Sequence, residues 1–440
     1  MKSLMEVCEG DEIIMNSGRL RGGIQFSYSP TGLSSPFEAV PPPPKVMVPL
    51  RQDQGSVCTP RVKKNDKVLA GQLIGESPNQ NGASIHAPIA GTVTEAIKAF
   101  QNIHGTIVPA LAIESDGSAQ HVDARTDTDL FAALQDAGVV DFDRTTVPLA
   151  AKLEEARARK VGTLIVNALD IEPALSSRGR LLLEELQAIA AGIEAVRNAL
   201  EVNRVLLTVD ANATEAIAAA TKTLGGAVQI VPLRNTYPQA VDYLIVKKVL
   251  NVEVPFAQGV RITDVGALVV DVESLAAVGR NQPVVERFIS VVSSKGHLKN
   301  LRVPLGTPIS AVLEHCRVTL EPGGKVLAGG PMTGRAVASL DQPVTKEFAG
   351  LYVQPRREVV ETVEAVCIKC GLCVEACPMR LMPFLLSGFS EKGKLAEAQN
   401  YDIFSCIECG CCAYLCPVRI PMVQFIKFAK KQLMDQRKNA

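Results

Sequence analysis

The sequence predicts a multidomain chain of α/β and β-rich modules that ends in a helical, cysteine-bearing domain. Three observations carry this reading. Short β-rich runs broken by Asn-Asp and Ala-Gly turns come first; helices alternating with apolar strands follow; and near the end one cysteine motif occurs twice, with no strand pattern around either copy. The 440 residues suffice for about two to four domains with ample core.

Residues 41–44, four consecutive prolines, form a stiff connector. The runs PRVKKNDKVLAGQLIGE (Pro60 to Glu76) and IHAPIAGTVTEAI (Ile85 to Ile97) then read as strands. They resemble the barrel-sandwich fold of biotinyl and lipoyl carriers, which display an acceptor lysine on the intervening hairpin. Here that hairpin, SPNQNGAS from Ser77 to Ser84, has no lysine, so the module is expected to be structural and His86 a turn or core histidine. From about Asp129 to Asn251, VGTLIVNAL, RVLLTVDAN and GAVQIVPL read as strands, with one long amphipathic helix between them over Ser177 to Leu200. This is a βαβ-type, Rossmann-like, doubly wound pattern. Residues 255–350 return to short strands and glycine-rich turns, ending in KVLAGGPMTG. From about Val359 the pattern is helical and closes on a basic-ended helix, PMVQFIKFAKKQLMDQRKN.

The duplicated motif is CIKCGLCVEACPMRL (Cys367 to Leu381) and CIECGCCAYLCPVRI (Cys406 to Ile420). Alignment pairs Cys367 with Cys406, Cys370 with Cys409, Cys373 with Cys412 and Cys377 with Cys416. Cys411 falls opposite Leu372 and reads as a small buried side chain. The spacing C-x2-C-x2-C-x3-C-P is that of [4Fe-4S] ferredoxins, in which the fourth cysteine of each run ligates the other run's cluster. One cluster would take Cys367, Cys370, Cys373 and Cys416, and the second Cys406, Cys409, Cys412 and Cys377. Gly371 and Gly410 suit close passage of backbone past inorganic sulfur. Structural zinc on two C-x2-C pairs is the competing reading, but it has no use for a third cysteine and a Cys-Pro, twice over.

Lys and Arg together number 46, as do Asp and Glu, so no basic field argues for nucleic acid or anionic lipid. The start, MKSLMEVCEGDEIIMN, has acidic residues where a signal peptide has its apolar core, and no apolar run approaches a membrane span. The expectation is a cytoplasmic protein whose membrane contact goes through a partner. Eight of the 12 cysteines occupy the ligand positions of the two motifs, which speaks against a disulfide framework.

Taken in order, GGI (Gly22 to Ile24), HAPIAGTV (His86 to Val93), YPQA (Tyr237 to Ala240), DVGALVVDV (Asp264 to Val272), GGPMTG (Gly329 to Gly334) and both cysteine runs resemble the C subunit of the Rnf complex, a membrane-bound ion-pumping oxidoreductase linking ferredoxin to NAD. The resemblance implies a barrel-sandwich-like domain over 1–128, a Rossmann-like FMN- and NADH-binding domain over 129–252, a β-grasp-like (SLBB) domain over 253–356, and a helical domain with two [4Fe-4S] clusters over 357–440. It also implies a peripheral subunit on the cytoplasmic face of the inner membrane. Its partners would be the membrane subunits of the complex, an iron–sulfur B-type subunit, and ferredoxin or another soluble carrier.

One segment departs from the family. Its first βα turn has the form G-L-G-G-A-G-F-P-T, which lets cofactor phosphates reach backbone N–H groups. The corresponding stretch here, AGVVDFDRTTVPLAAKL from Ala137 to Leu153, keeps Gly138 and Pro148 but not the glycine cluster, and places Asp141 and Asp143 where a phosphate would need open backbone. Likewise NALDIEP, Asn167 to Pro173, only partly keeps the family's N-G-A-E-C-E-P. The expectation is an oxidoreductase subunit that passes electrons through its two clusters without its own FMN or NAD site and without catalytic acid–base residues. The alternatives are the full NADH-oxidising flavin subunit and a non-redox scaffold with zinc.

Overall fold

The computed structural model describes residues 22–26, 31–79, 82–122, 129–234, 236–293, 296–359 and 366–439. The N-terminal stretch read above for targeting lies wholly outside these, as do residues 80 and 81 of the hairpin.

The first module is a barrel sandwich. Its four-stranded sheet runs in the order Lys45–Pro49, Ile107–Ser115, Gly91–Gln101, Lys67–Val68, and faces a three-stranded sheet of Thr59–Pro60, Leu73–Glu76 and Ile85–His86. Inward-pointing Val46, Val48, Ile74, Ile85, Val93, Leu111 and Ile113 fill the space between them. The hairpin at Ser77 to Ser84 is tied down: Gln135 donates to the Asn79 carbonyl at 3.2 Å and the Ser84 N–H to the Gln135 carbonyl at 3.2 Å. His86 is buried, as a core histidine should be.

All four strands of the α/β domain are parallel, in the order Gln229–Leu233, Arg204–Asp210, Thr163–Asn167, Ala267–Asp271. In chain order this is 3-2-1-4, four of the six positions of the doubly wound plan. Helices cover both faces, so neighbouring strand residues enter different cores: Leu164 and Val166 on one side, Ile165 on the other. The fourth strand lies beyond residue 252, where the α/β domain was expected to end. Its run ALVVD is buried at every position, and the helix Val272–Arg280 after it packs on the same sheet. The expected single helix over Ser177 to Leu200 is two, Ser177–Glu184 and Leu186–Leu200, parted at Glu185 with φ −111°. The second keeps a strict apolar stripe of Leu186, Ile189, Ile193, Val196 and Leu200. It crosses Val272–Arg280 so closely that a Cβ on Gly279 would stand 1.8 Å from the Ala188 carbonyl oxygen.

The third domain is a six-stranded mixed sheet around the helix Ile309–His315, the β-grasp arrangement. Its outer strand, Phe37–Ala39, comes from the N-terminal region and pairs in parallel with Asn300 to Arg302. The fully buried Lys346 ties three domains together: its ammonium donates to the Ser84 carbonyl at 3.0 Å and the Gly138 carbonyl at 2.6 Å. Burial lowers its pKa to about 8 against the opposing pull of Asp53. Lys346→Met leaves two buried carbonyls without a donor and is expected to cost about 1–3 kcal/mol for each, read as a lower denaturation midpoint.

The last domain is helical, with its apolar centre at Leu386, Ala398, Ile403, Ile426, Ala429 and Leu433. Among the described residues, no helix of the chain is long and apolar enough to cross a membrane.

Candidate functional site

The two cysteine runs fold as copies, 39 positions apart by their residue numbers. Lys369, Gly371 and Arg380 take positive φ values of 56°, 82° and 56°; Glu408, Gly410 and Arg419 take 56°, 83° and 57°. Each glycine starts a one-turn helix, Leu372–Glu375 or Cys411–Tyr414, from a left-handed conformation that a side chain would strain. In both copies the N–H two residues after the first cysteine donates to its sulfur at 3.4 Å, Lys369 to Cys367 and Glu408 to Cys406. The Leu381 N–H does the same for Cys377 at 3.4 Å.

The copies exchange their last cysteines. One cavity is lined by Cys367, Cys370, Cys373 and Cys416; the other by Cys406, Cys409, Cys412 and Cys377, together with Cys411. These are the two sets that the spacing predicts, with one sulfur to spare. Cys411 is fully buried in an apolar group with Tyr237, Ala376 and Cys409, whereas its counterpart Leu372 is exposed. Among the described residues, the one set of three His, Cys, Asp or Glu ligand atoms within 4.8 Å of one another is Asp141, Asp143 and Asp242, so no three cysteine sulfurs crowd together. A tetrahedral zinc, with Zn–S near 2.3 Å, would hold them about 3.8 Å apart. Four separated thiols per cavity, with N–H donors on three of the eight, fit a four-iron cube.

The cavities differ in surroundings. Cys370 of the first is exposed, beside exposed Ile368 and Leu372. The second is braced from every upstream domain. The Gly23 N–H donates to the Ala376 carbonyl at 2.9 Å, and a Cβ on Gly22 would meet the Cys377 carbonyl oxygen at 2.6 Å. Ile24 pairs with Tyr237, whose hydroxyl donates to the Cys409 carbonyl at 2.5 Å. The Met332 carbonyl packs on Gly410, and Glu172 holds that loop by accepting from the N–H groups of Met332 and Thr333 at 2.9 and 3.1 Å. Thus GGI, YPQA, GGPMTG and the Glu172 segment converge on one site. Sequence order alone exposed the motifs but not the place where they meet.

The α/β domain has its own cavity, about 640 Å³, lined by Asp143, Arg144, Thr145, Pro148, Lys152, Tyr243, Arg261 and neighbours. The loop that replaces the glycine-rich turn is closed on itself. The Asp141 N–H donates to the Val147 carbonyl at 2.7 Å, and Asp143 accepts from the N–H groups of Thr145 and Thr146 at 2.7 and 2.9 Å. Asp141 does not face the cavity as an unmatched charge, contrary to the sequence reading. It is buried, ion-paired with Lys152, and accepts from the Asp271 N–H and the Ser274 hydroxyl, each at 3.0 Å. Burial works to lower the Lys152 ammonium, but Asp141 and Asp242 outweigh it and hold the pKa well above the usual lysine range. Burial pushes Asp242 up to about 7, against the pull of Lys152. The amides of Thr145 and Thr146 and the Lys152 ammonium are therefore engaged within the protein, while Arg144 and Arg261 also line the cavity.

Three family models match the chain: an RnfC barrel sandwich hybrid domain over residues 18–118, a Nuo51 FMN-binding domain over 134–280, and a 4Fe-4S dicluster domain over 366–420. The second ends where the helix after the fourth strand ends. Among curated relatives, the C subunit of the proton-translocating ferredoxin:NAD(+) oxidoreductase complex of Clostridium ljungdahlii is 32% identical, covering 94% of this chain and 93% of that one. The C subunit of the ion-translocating oxidoreductase complex of Rhodobacter capsulatus is 33% identical, with coverage of 96% and 85%. Its counterpart in the Na(+)-translocating ferredoxin:NAD(+) oxidoreductase complex of Acetobacterium woodii is 28% identical, with coverage of 96% and 98%.

Proposed function

The chain belongs to the family of C subunits of ion-translocating (Rnf-type) oxidoreductase complexes, and from that premise we propose that it is the complex's peripheral two-cluster electron carrier, without a flavin or NADH site of its own. The observation that carries this is the pairing of two thiol-lined cavities, one braced deep against the other domains and one open at the surface. Bound there, each cluster supplies a one-electron couple at thiolate-ligated iron. Cys367, Cys370, Cys373 and Cys416 hold the surface cluster; Cys406, Cys409, Cys412 and Cys377 hold the inner one. The amide donors at Cys367, Cys377 and Cys406 favour the reduced state by stabilising added negative charge. Tyr237, Met332 and Glu172 keep the inner site rigid and dry, which limits the reorganisation that accompanies each transfer. No side chain is asked to move a proton. The carrier's partners are the membrane subunits, an iron–sulfur B-type subunit and a soluble ferredoxin-like donor or acceptor, with docking on the cytoplasmic face of the membrane.

The absence of a flavin site rests on the occupied loop amides at Thr145 and Thr146 and on the saturated Lys152. A second reading, the full NADH-oxidising flavin subunit, is favoured by the 640 Å³ cavity and by the match to the FMN-binding domain. Anaerobic reconstitution with excess FMN, followed by removal of free ligand, separates the two. The expected result is little bound flavin and no rapid cluster reduction by NADH. Near-stoichiometric flavin with fast reduction restores the second reading.

A further inference from the structure

The duplicated halves differ in one buried charge. Lys430 lies on the closing helix, Met422–Asn439, and is only 7% exposed. Its ammonium donates to the carbonyl oxygen of Cys406 at 2.5 Å and to Glu408 Oε1 at 2.9 Å. Cys406 and Glu408 belong to the loop that opens the second cysteine run. By the 39-residue offset the counterpart of Lys430 is Glu391, an exposed acid at the end of the helix Pro383–Glu391, and the counterpart of Glu408 is Lys369, also exposed. The inner site thus has an internal cation bonded to a ligand's own backbone, where the surface site has solvated charges.

Coulomb's law decides which charges matter. A solvated ammonium such as Lys369 is screened by water, whereas one buried beside the metal ligands acts through a medium of lower dielectric. Glu408 offsets part of this charge and is itself shared with the half-exposed Lys427 at 3.6 Å. Each electron that enters a cluster adds a negative charge, which a neighbouring cation stabilises.

We propose that Lys430 is a positioning residue for the inner cluster: it fixes the Cys406 loop and raises that cluster's reduction potential, leaving the surface cluster unaffected. This rests on the reading that Cys406 ligates the inner cluster. The test is an anaerobic potentiometric titration followed by electron paramagnetic resonance, with iron assayed on each sample. The signal that survives in Cys412→Ala marks the surface cluster.

Lys430→Met is expected to keep about eight irons, move the inner cluster's midpoint to more negative potential and leave the other in place. Lys430→Arg, which keeps the charge, should stay near the parent. Should Lys430→Met lose iron, Glu408→Gln carries the test: it removes the opposing acid and should shift the same midpoint the other way. Unchanged midpoints in iron-replete Lys430→Met, equal shifts of both clusters, or no positive shift in Glu408→Gln overturn the proposal. Fewer than eight irons in the unmodified protein would instead overturn the two-cluster reading beneath it.

Discussion

Truncation after residue 395 is expected to leave no intact [4Fe-4S] centre, although all four cysteines of the first run are retained. The first cavity takes its fourth sulfur from Cys416, and Cys377, left behind, faces a cavity whose other sulfurs are gone. The cut also removes Ala398, Ile403, Ile426, Ala429 and Leu433, which surround Leu386 in the largest apolar centre among the described residues of this domain. Metal binding and folding are coupled in such a domain, so removing the exchanged sulfurs together with its apolar centre takes the metal as well. Iron and acid-labile sulfide, assayed anaerobically, should fall from about eight per chain to background. A stable cluster in the truncated protein would mean that each run ligates its own cube.

Replacing one of two adjacent cysteines should give opposite outcomes. Cys412→Ala removes a thiolate that aligns with Cys373 and should halve the iron, to about four per chain. Cys411→Ala should leave it unchanged. The matched backbone angles at Gly371 and Gly410 fix the register in which Cys411 corresponds to Leu372, a residue with no ligand atom. Cys411 also sits wholly buried beside Tyr237 and Ala376, where a small apolar side chain is tolerated at little cost. Because all five sulfurs line the inner cavity, equal iron loss in the two variants would show that the register is wrong.

How far the sequence could be read depended on the range of the interactions. The cysteine runs were legible because each cluster's ligands lie in short segments whose spacing is dictated by the size of the cube. The first three parallel strands were legible as apolar runs, since burial on both faces leaves no polar alternation. The fourth, Ala267 to Asp271, stands out as a motif but reads as part of the next domain, because only pairing with Thr163 to Asn167 reveals its sheet. The split at Glu185 was hidden because the apolar periodicity continues through it. Asp141 was the instructive case. Its local context suggested an exposed repulsive charge, yet its partners Lys152, Asp271 and Ser274 include two residues about 130 positions away. It is Asp143, not Asp141, that takes up the loop's N–H groups.

The exchange of last cysteines also bears on the order in which the protein can be made. A chain emerging from the ribosome folds its early domains first, and here the barrel sandwich, the α/β sheet and the β-grasp sheet all precede the first cysteine run. With the proposed ligands, the surface cluster cannot be closed until Cys416 has emerged, and the inner one not until Cys412 has. Iron is therefore inserted late, when the bracing residues Tyr237 and Met332 already stand in folded domains. Maturation factors would meet a prepared cradle, and a ribosome stalled between the two runs would hold an apoprotein with nothing to oxidise but free thiols.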